Sequence, residues 1–428
     1  MNRKQILILA TVGMLGCERV HSNYCEEAPN HNCKDLVDAP IDAASCSSNA
    51  SCMAPLGVCD VAGSRTCVEC TATDHAACVG VEPVCGADQT CHACKAHSEC
   101  ASEVCLPDGS CAAEGDVAYV DGGAGAGVAC TKGAPCKTMT LALAVLPAKK
   151  IVKANGVITD AVKTTITGRA VKMFANAGTK WTRGSSGAIL EIGNGGTAEL
   201  YDLEVTNASN TVASTDGIGI LIPAGGSAQS LTLSHVTVSQ CAGVGISVGG
   251  GEIKLDRSII ASNVNGGIAV SGGNFTITNS IVHHNGSSTS NVGGVKLDVA
   301  PSASMFAFNT VVDNDAAAGQ TRGGGVLCDV AAFSMLNNII ARNRANSDAN
   351  ATTAQTSGQC QSQTSSIQSD FVGLNFKSAA IAPFDYHLLV GSKAIDAATT
   401  TSSVVFDIDG NTRPQGAGKD QGADEFKP

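Results

Sequence analysis

Three side chains invite a chemical reading. When the short apolar segments between residues 198 and 343 are aligned, His283 falls beside Asp313, and a neighbouring column runs Ser262, His284, Asn314, Arg342. A histidine next to a carboxylate, with a guanidinium close by, can move a proton and hold developing negative charge. His283, Asp313 and Arg342 are therefore the candidate acid–base residues. The competing reading is a turn, where solvated polar side chains are the norm. Outward strand positions such as Glu199, Lys254, Asp256, Lys296 and Asp298 mix both signs without concentrating acid.

The cysteines carry a second signal. Cys67-x-x-Cys70 and Cys91-x-x-Cys94 have a spacing close to that of a zinc ribbon. Yet each pair falls at a junction within a repeat of four cysteines. The units are Cys46, Cys52, Cys59, Cys67; then Cys70, Cys78, Cys85, Cys91; then Cys94, Cys100, Cys105, Cys111. Seventeen of the 20 cysteines lie between Cys17 and Cys136, a density that suits an oxidising compartment. Disulfides are expected, and no metal ligands are assigned. Units this small cannot bury a useful core, so cross-links of about 2 to 4 kcal/mol each must stabilise them. The order of pairing within a unit is open. Cys25 with Cys33, Cys130 with Cys136 and Cys328 with Cys360 are the other expected pairs. Cys241 is read as a buried free thiol or small filler.

Two weaker patterns are set aside. Gly122 to Gly127 lacks the spacing of a phosphate or dinucleotide loop and reads as a turn. Asp407-x-Asp409-Gly410-Asn411 resembles part of a calcium loop but lacks the full ligand spacing. Calcium is kept only as a weak expectation; the preferred reading is a capping turn in which Asp pairs with Arg413. No other cofactor is expected.

The elements that must position these residues repeat. Val238, Ile260, Val282, Val312 and Ile340 close five short segments, with steps of 22, 22, 30 and 28 residues. Three residues on come Cys241, Asn263, Asn285, Asp315 and Asn343, and then Gly245, Gly267, Gly294 and Gly325 open a second apolar run. A period of this size, made of β-branched runs, Gly and Asn, marks a solenoid. Aromatics at 4% and 48 glycines suit thin stacked coils. The net charge of -11 argues against nucleic acid. Residues 138–145 read as a short helix, Trp181 as a core or edge filler, and 345–369 as an excursion loop outside the period.

The stretch from Asp116 to Phe426 resembles right-handed parallel β-helix proteins of the pectate-lyase-like class, which implies an all-β fold of about ten coils with strands ~4.8 Å apart. In that class a short helix covers the open end of the first coil. Its enzymes cleave acidic polysaccharides in a groove, using clustered acids, often calcium, and a Lys or Arg base. Asp385-Tyr386-His387-Leu388-Leu389, Gly391 to Asp396, Asp407 to Gly416 and Asp420 to Glu425 resemble the choice-of-anchor Q region of surface proteins. Met14-Leu15-Gly16-Cys17, after Arg3, Lys4 and an apolar run, resembles a bacterial lipobox, with Met14 departing from the usual Leu. Cys17 would carry the lipid, and Glu18 in place of Asp suggests the outer membrane.

The expected organisation is a signal peptide (1–16), tether (17–45), cysteine-rich repeat domain (46–111), β-helix (115–372) and anchor-type end region (373–428). The expected protein is an exported, monomeric, non-enzymatic cell-surface lipoprotein. Its rod would display or bind a polysaccharide or a surface protein, held to the membrane by the N-terminal lipid. The alternatives are a polysaccharide lyase or hydrolase, or a rod that merely spaces a binding module made by the cysteine units.

Overall fold

The computed structural model describes residues 45–428, apart from residues 126, 146–148, 210–216, 227, 300–303, 320–321 and 400–401. The signal segment, Cys17, most of the tether and the Cys25–Cys33 pair lie outside the described residues. Two compact units form among the described residues: 45–95 with Leu106–Ser110, and Ala96–Cys105 with Cys111–Pro428. The cysteine-rich stretch is therefore divided between them, whereas the repeat alone suggested a boundary after Cys111. No described helix is long and apolar enough to cross a membrane.

In the first unit the cysteines pair first-to-third and second-to-fourth. Cys46 joins Cys59 and Cys52 joins Cys67; Cys70 joins Cys85 and Cys78 joins Cys91. Each repeat closes on a two-residue antiparallel hairpin, Val58–Cys59 with Cys67–Val68 and Val84–Cys85 with Cys91–His92. Cys67 binds back into its own repeat and Cys70 forward into the next, so this Cys-x-x-Cys is a junction between two disulfides. Its sulfurs are not thiolates available to zinc.

The second unit is a parallel β-helix. One sheet runs through nine strands, from Val157–Asp160 to Ser366–Gln368. Two further runs of parallel strands meet in the long strand Val326–Leu336. Strand side chains alternate: Ile253 and Leu255 are buried while Lys254 between them is exposed. The inward residues, mostly Ile, Leu and Val, form one continuous core. Met139–Ala144 is the only α-helix among the described residues; the Thr138 side chain caps it by accepting from Leu141 N. Thr140 Oγ1 and Trp181 Nε1 both donate to the buried Asp160, which ties the helix to fully buried Trp181.

Two corners of each coil have left-handed backbone. At one stand Gln240, Ser262, His284, Asp313 and Arg342, each with φ between 52° and 58°. At the other stand His235, Arg257, Asn279, Phe308 and Asn337. Such conformations cost L-residues energy, and buried hydrogen-bond ladders fix them. Asn263, Asn285, Asn314 and Asn343 each accept the backbone N–H of the coil before: Cys241 N to Asn263, Asn263 N to Asn285, Asn285 N to Asn314, and Asn314 N to Asn343. Their amide NH2 groups donate onward along the stack. The glycine column faces this ladder. A Cβ on Gly267 would come within 2.5 Å of Gly294 O, and one on Gly294 within 2.7 Å of Gly325 O.

The register differs from the sequence alignment by one residue in a single coil. Val311, not Val312, pairs with Val282 and Ile340. The ladder residue there is Asn314 rather than Asp315, and the steps are 22 and then 29 residues. Val311-Val312 is a doublet of identical residues, so hydrophobicity alone cannot say which one points inward. The stretch after residue 344 also differs. Thr356–Gln363 pairs with Val326–Leu336, and Ser366–Gln368 with Ile339–Ala341, so it forms a further coil. Its strands are polar because they are largely exposed; parallel pairing needs only backbone groups. Cys328–Cys360 ties that coil down, and Cys130–Cys136 clips the first one.

Residues 371–426 fold back along the outside of the nine-stranded sheet. Leu374, Tyr386, Leu388, Ala394, Ile408 and Ala423 pack on Ile281, Val312, Ile339 and Ala341 as a second apolar core. Ala423 N donates to Thr310 Oγ1 and Gly422 N to Asn337 O. Arg413 is wholly buried in this layer. It donates to Glu425 and to the carbonyls of Phe406, Asp420, Gly422, Ala423 and Asp424, and lies 4.7 Å from the Phe308 ring. The partner of Arg413 is thus Glu425, not Asp407.

Candidate functional site

The corner column brings His284, Asp313 and Arg342 together on successive coils. Arg342 grips Asp313 with two donors, Nε to Oδ1 and an NH2 group to Oδ2 at 2.8 Å. Such a fork is the strongest geometry for this pair, and its hydrogen bonds raise the Arg342 pKa. His283 occupies the adjacent strand position, level with Ala261 and Val312. It reaches His284, with the two Nδ1 atoms 3.0 Å apart, and no hydrogen bond to Asp313 forms. The histidine facing Asp313 across the coils is thus His284, a consequence of the one-residue shift.

This cluster is covered. Tyr386 Oη donates to Asp313 Oδ2 at 2.7 Å, and Phe384 stacks on His284 with ring centres 3.9 Å apart. Phe371 lies under the Arg342 guanidinium at 4.1 Å. Asp313 is 3% exposed and Tyr386 2%. Burial, the His284 charge and the opposing pull of Asp313 leave His283 with its pKa lowered to about 4, so it is neutral at neutral pH. Burial likewise lowers His284, against the pull of Asp313. Burial and the Asp313 charge push Tyr386 far up, so it stays a donor. Both oxygens of Asp313 are thus taken up by Arg342 and Tyr386, and the Nδ1 atoms of the two histidines face each other.

Beside it opens a cleft of about 450 Å³ lined by His283, Ile281, Lys377, Phe384, Asp385 and His387, among others. Here sequence reasoning missed the chemistry. Asp385–Leu388 is a strand, and Asp385 and His387, two apart, share a face. That spacing was visible, but nothing marked the segment as a strand lying on the sheet. Asp385 takes His387 Nδ1 on one oxygen and Lys377 Nζ, at 3.0 Å, on the other. Burial opposes ionisation of Asp385, yet the bonds from His387 and Lys377 hold its pKa near 2. Burial also opposes a charge on His387, but the Asp385 bond and the fields of Asp424 and Asp409 raise it.

The calcium-like loop is used internally. Asp407 accepts Asp409 N, Asn411 N, Asn411 Nδ2 and Glu425 N, so its oxygens hold the turn together. Asp409 instead turns towards His387.

The family model for a right handed beta helix region matches residues 205–381, which agrees with the observed coils. Among solved structures, a crystal structure of pectate lyase Pel9A is similar at 14% identity and a TM-score of 0.42, over 73% of this chain and 96% of that one. No curated protein matches the chain. The observed coils and this family model agree on a right-handed parallel β-helix, which follows the disulfide-rich repeats in the sequence.

Proposed function

We propose that this is a non-enzymatic cell-surface lipoprotein whose β-helix displays or binds an envelope or extracellular partner, glycan or protein. One observation carries the reading. The acid–base residues of the coil columns bind one another and the segment above them: Tyr386 and Arg342 hold Asp313, and Phe384 covers His284. A general acid or base must reach a substrate proton; Asp313, Arg342 and His284 act instead as a clasp for residues 371–426, while His283 lines the neighbouring cleft with its pKa lowered to about 4. The lipid anchor at Cys17 is the second part of the proposal, drawn from the sequence alone.

A panel of acidic and neutral polysaccharides tests the first part. Binding or no effect is expected, without turnover. Cleavage that disappears in His283→Ala or Asp313→Ala, with the fold retained, would establish the alternative, a polysaccharide lyase or hydrolase. The cleft bearing Lys377, Asp385 and His387 is the observation that favours that alternative. For the anchor, Cys17→Ala should release the chain from membranes into the soluble fraction; continued membrane association would rule out lipidation there.

A further inference from the structure

The geometry points to a divalent transition-metal site of the zinc class, formed by His387 Nε2, Asp409 and Asp424, with Asp385 orienting the imidazole. One ligand atom from each of the three lies within 4.8 Å of the other two. Asp385 takes the Nδ1 side of the ring, so that nitrogen holds a proton and Nε2 faces the two other carboxylates. A carboxylate behind a histidine is how metal-binding imidazoles are commonly held.

The second observation is His387 Nε2 itself. The atom is enclosed and has no hydrogen-bond partner. Asp409 Oδ2 stands only 3.2 Å away, yet out of line for a hydrogen bond. A buried polar atom left unmatched is uncommon and calls for an explanation. Metal geometry supplies one. Zinc–nitrogen and zinc–oxygen bonds near 2.1 Å at a tetrahedral angle set two donors about 3.4 Å apart, close to the separation seen. Asp424 is buried, and one oxygen accepts Leu388 N at 2.6 Å, which fixes its carboxylate. The Asp409 side chain is 56% exposed on a turn and can move in to complete the set.

The donor set selects the class of ion. One imidazole with two carboxylates suits zinc or a neighbouring transition ion, whereas calcium prefers an all-oxygen shell. Three protein donors leave at least one coordination position. Water can take that place from the exposed Asp409 side of the site.

Titration of zinc, and of cobalt(II) as a spectroscopic probe, into the intact oxidised chain tests the site. One ion per chain is expected, with visible cobalt bands of a four- or five-coordinate centre and no thiolate charge-transfer band. His387→Ala and Asp424→Asn should abolish binding, and Asp385→Asn should weaken it about 10- to 100-fold. Asp409→Asn alters an exposed side chain, so it should fold normally and still lose the ion. No ion on the native chain, or an ion retained in both Asp409→Asn and His387→Ala, would overturn the site and leave His387 as an imidazolium among carboxylates.

Discussion

Tyr386 Oη and Asp313 Oδ2 meet at 2.7 Å although 73 residues separate them in the chain. This bond joins the C-terminal layer to a coil corner, and Arg342 completes it from the next coil. A hydrogen bond to a charged group contributes about 1.5–3 kcal/mol, so Tyr386→Phe should destabilise the layer by that much. Asp313→Ala removes the acceptor of both partners and should cost about 3–5 kcal/mol. Urea unfolding, with limited proteolysis of residues 371–426, would measure both. Equal, negligible effects would mean the clasp carries no load.

Acid should loosen the same region. The pKa of folded His283 is lowered to about 4 from an ordinary 6.5, first by burial and then by the His284 charge. The unfolded chain thus binds more protons between those values, and stability must fall as pH drops from 6.5 towards 4. A shift of that size corresponds to about 3 kcal/mol. Asp420, raised to about 6 by burial, works in the opposite direction over much of this range. The comparison is therefore between wild type and His283→Gln: the variant should show a smaller loss between pH 6.5 and 4. Parallel stability curves would exclude His283 as the source.

The asparagine ladder should be intolerant at its middle. Asn285 donates to Ile260 O, His283 O and Asn314 Oδ1, and accepts from Asn263 N and Nδ2. Asn285→Ala leaves several buried groups unmatched at about 1–3 kcal/mol each, so a loss above ~3 kcal/mol is expected in thermal or urea unfolding. A loss under 1 kcal/mol would show that water or a shifted neighbour replaces the amide.

The final coil depends on a cross-link. Cys328 and Cys360 close a loop with a sequence separation of 32, which chain entropy values at about 3–4 kcal/mol. Replacing both by Ser should raise hydrogen exchange across Thr356–Gln363 while Ile246–Val248 and Ile268–Val270 stay protected. Uniform protection would mean that strand pairing alone holds the coil.

The coils were legible because their period repeats a physical need: an inward aliphatic, a corner Asn, a close-packed Gly. What failed to show follows from the same physics. Val311 and Val312 are equally apolar, so the shift that exchanges His283 for His284 opposite Asp313 leaves hydrophobicity unchanged. Thr356–Gln363 looks like a loop because its pairing uses backbone groups while its side chains face solvent. The layer formed by residues 371–426 depends on contacts such as Ala423 with Thr310, more than a hundred residues apart, and no local pattern announces them. His387, Asp409 and Asp424 are likewise scattered by sequence and gathered only by the fold.

The ladder also tolerates changes in spacing. Asn263 to Asn285 spans 22 residues, while Asn285 to Asn314 and Asn314 to Asn343 span 29, yet the rungs stay in register. Between Asn285 and Asn314 most of the added length lies between His283 and Val295, which still pair with Ala261 and Ile268. For a protein engineer this makes the loop 287–291, just past the ladder residue Asn285, a socket: foreign peptide spliced there is carried outward without retuning the strands on either side.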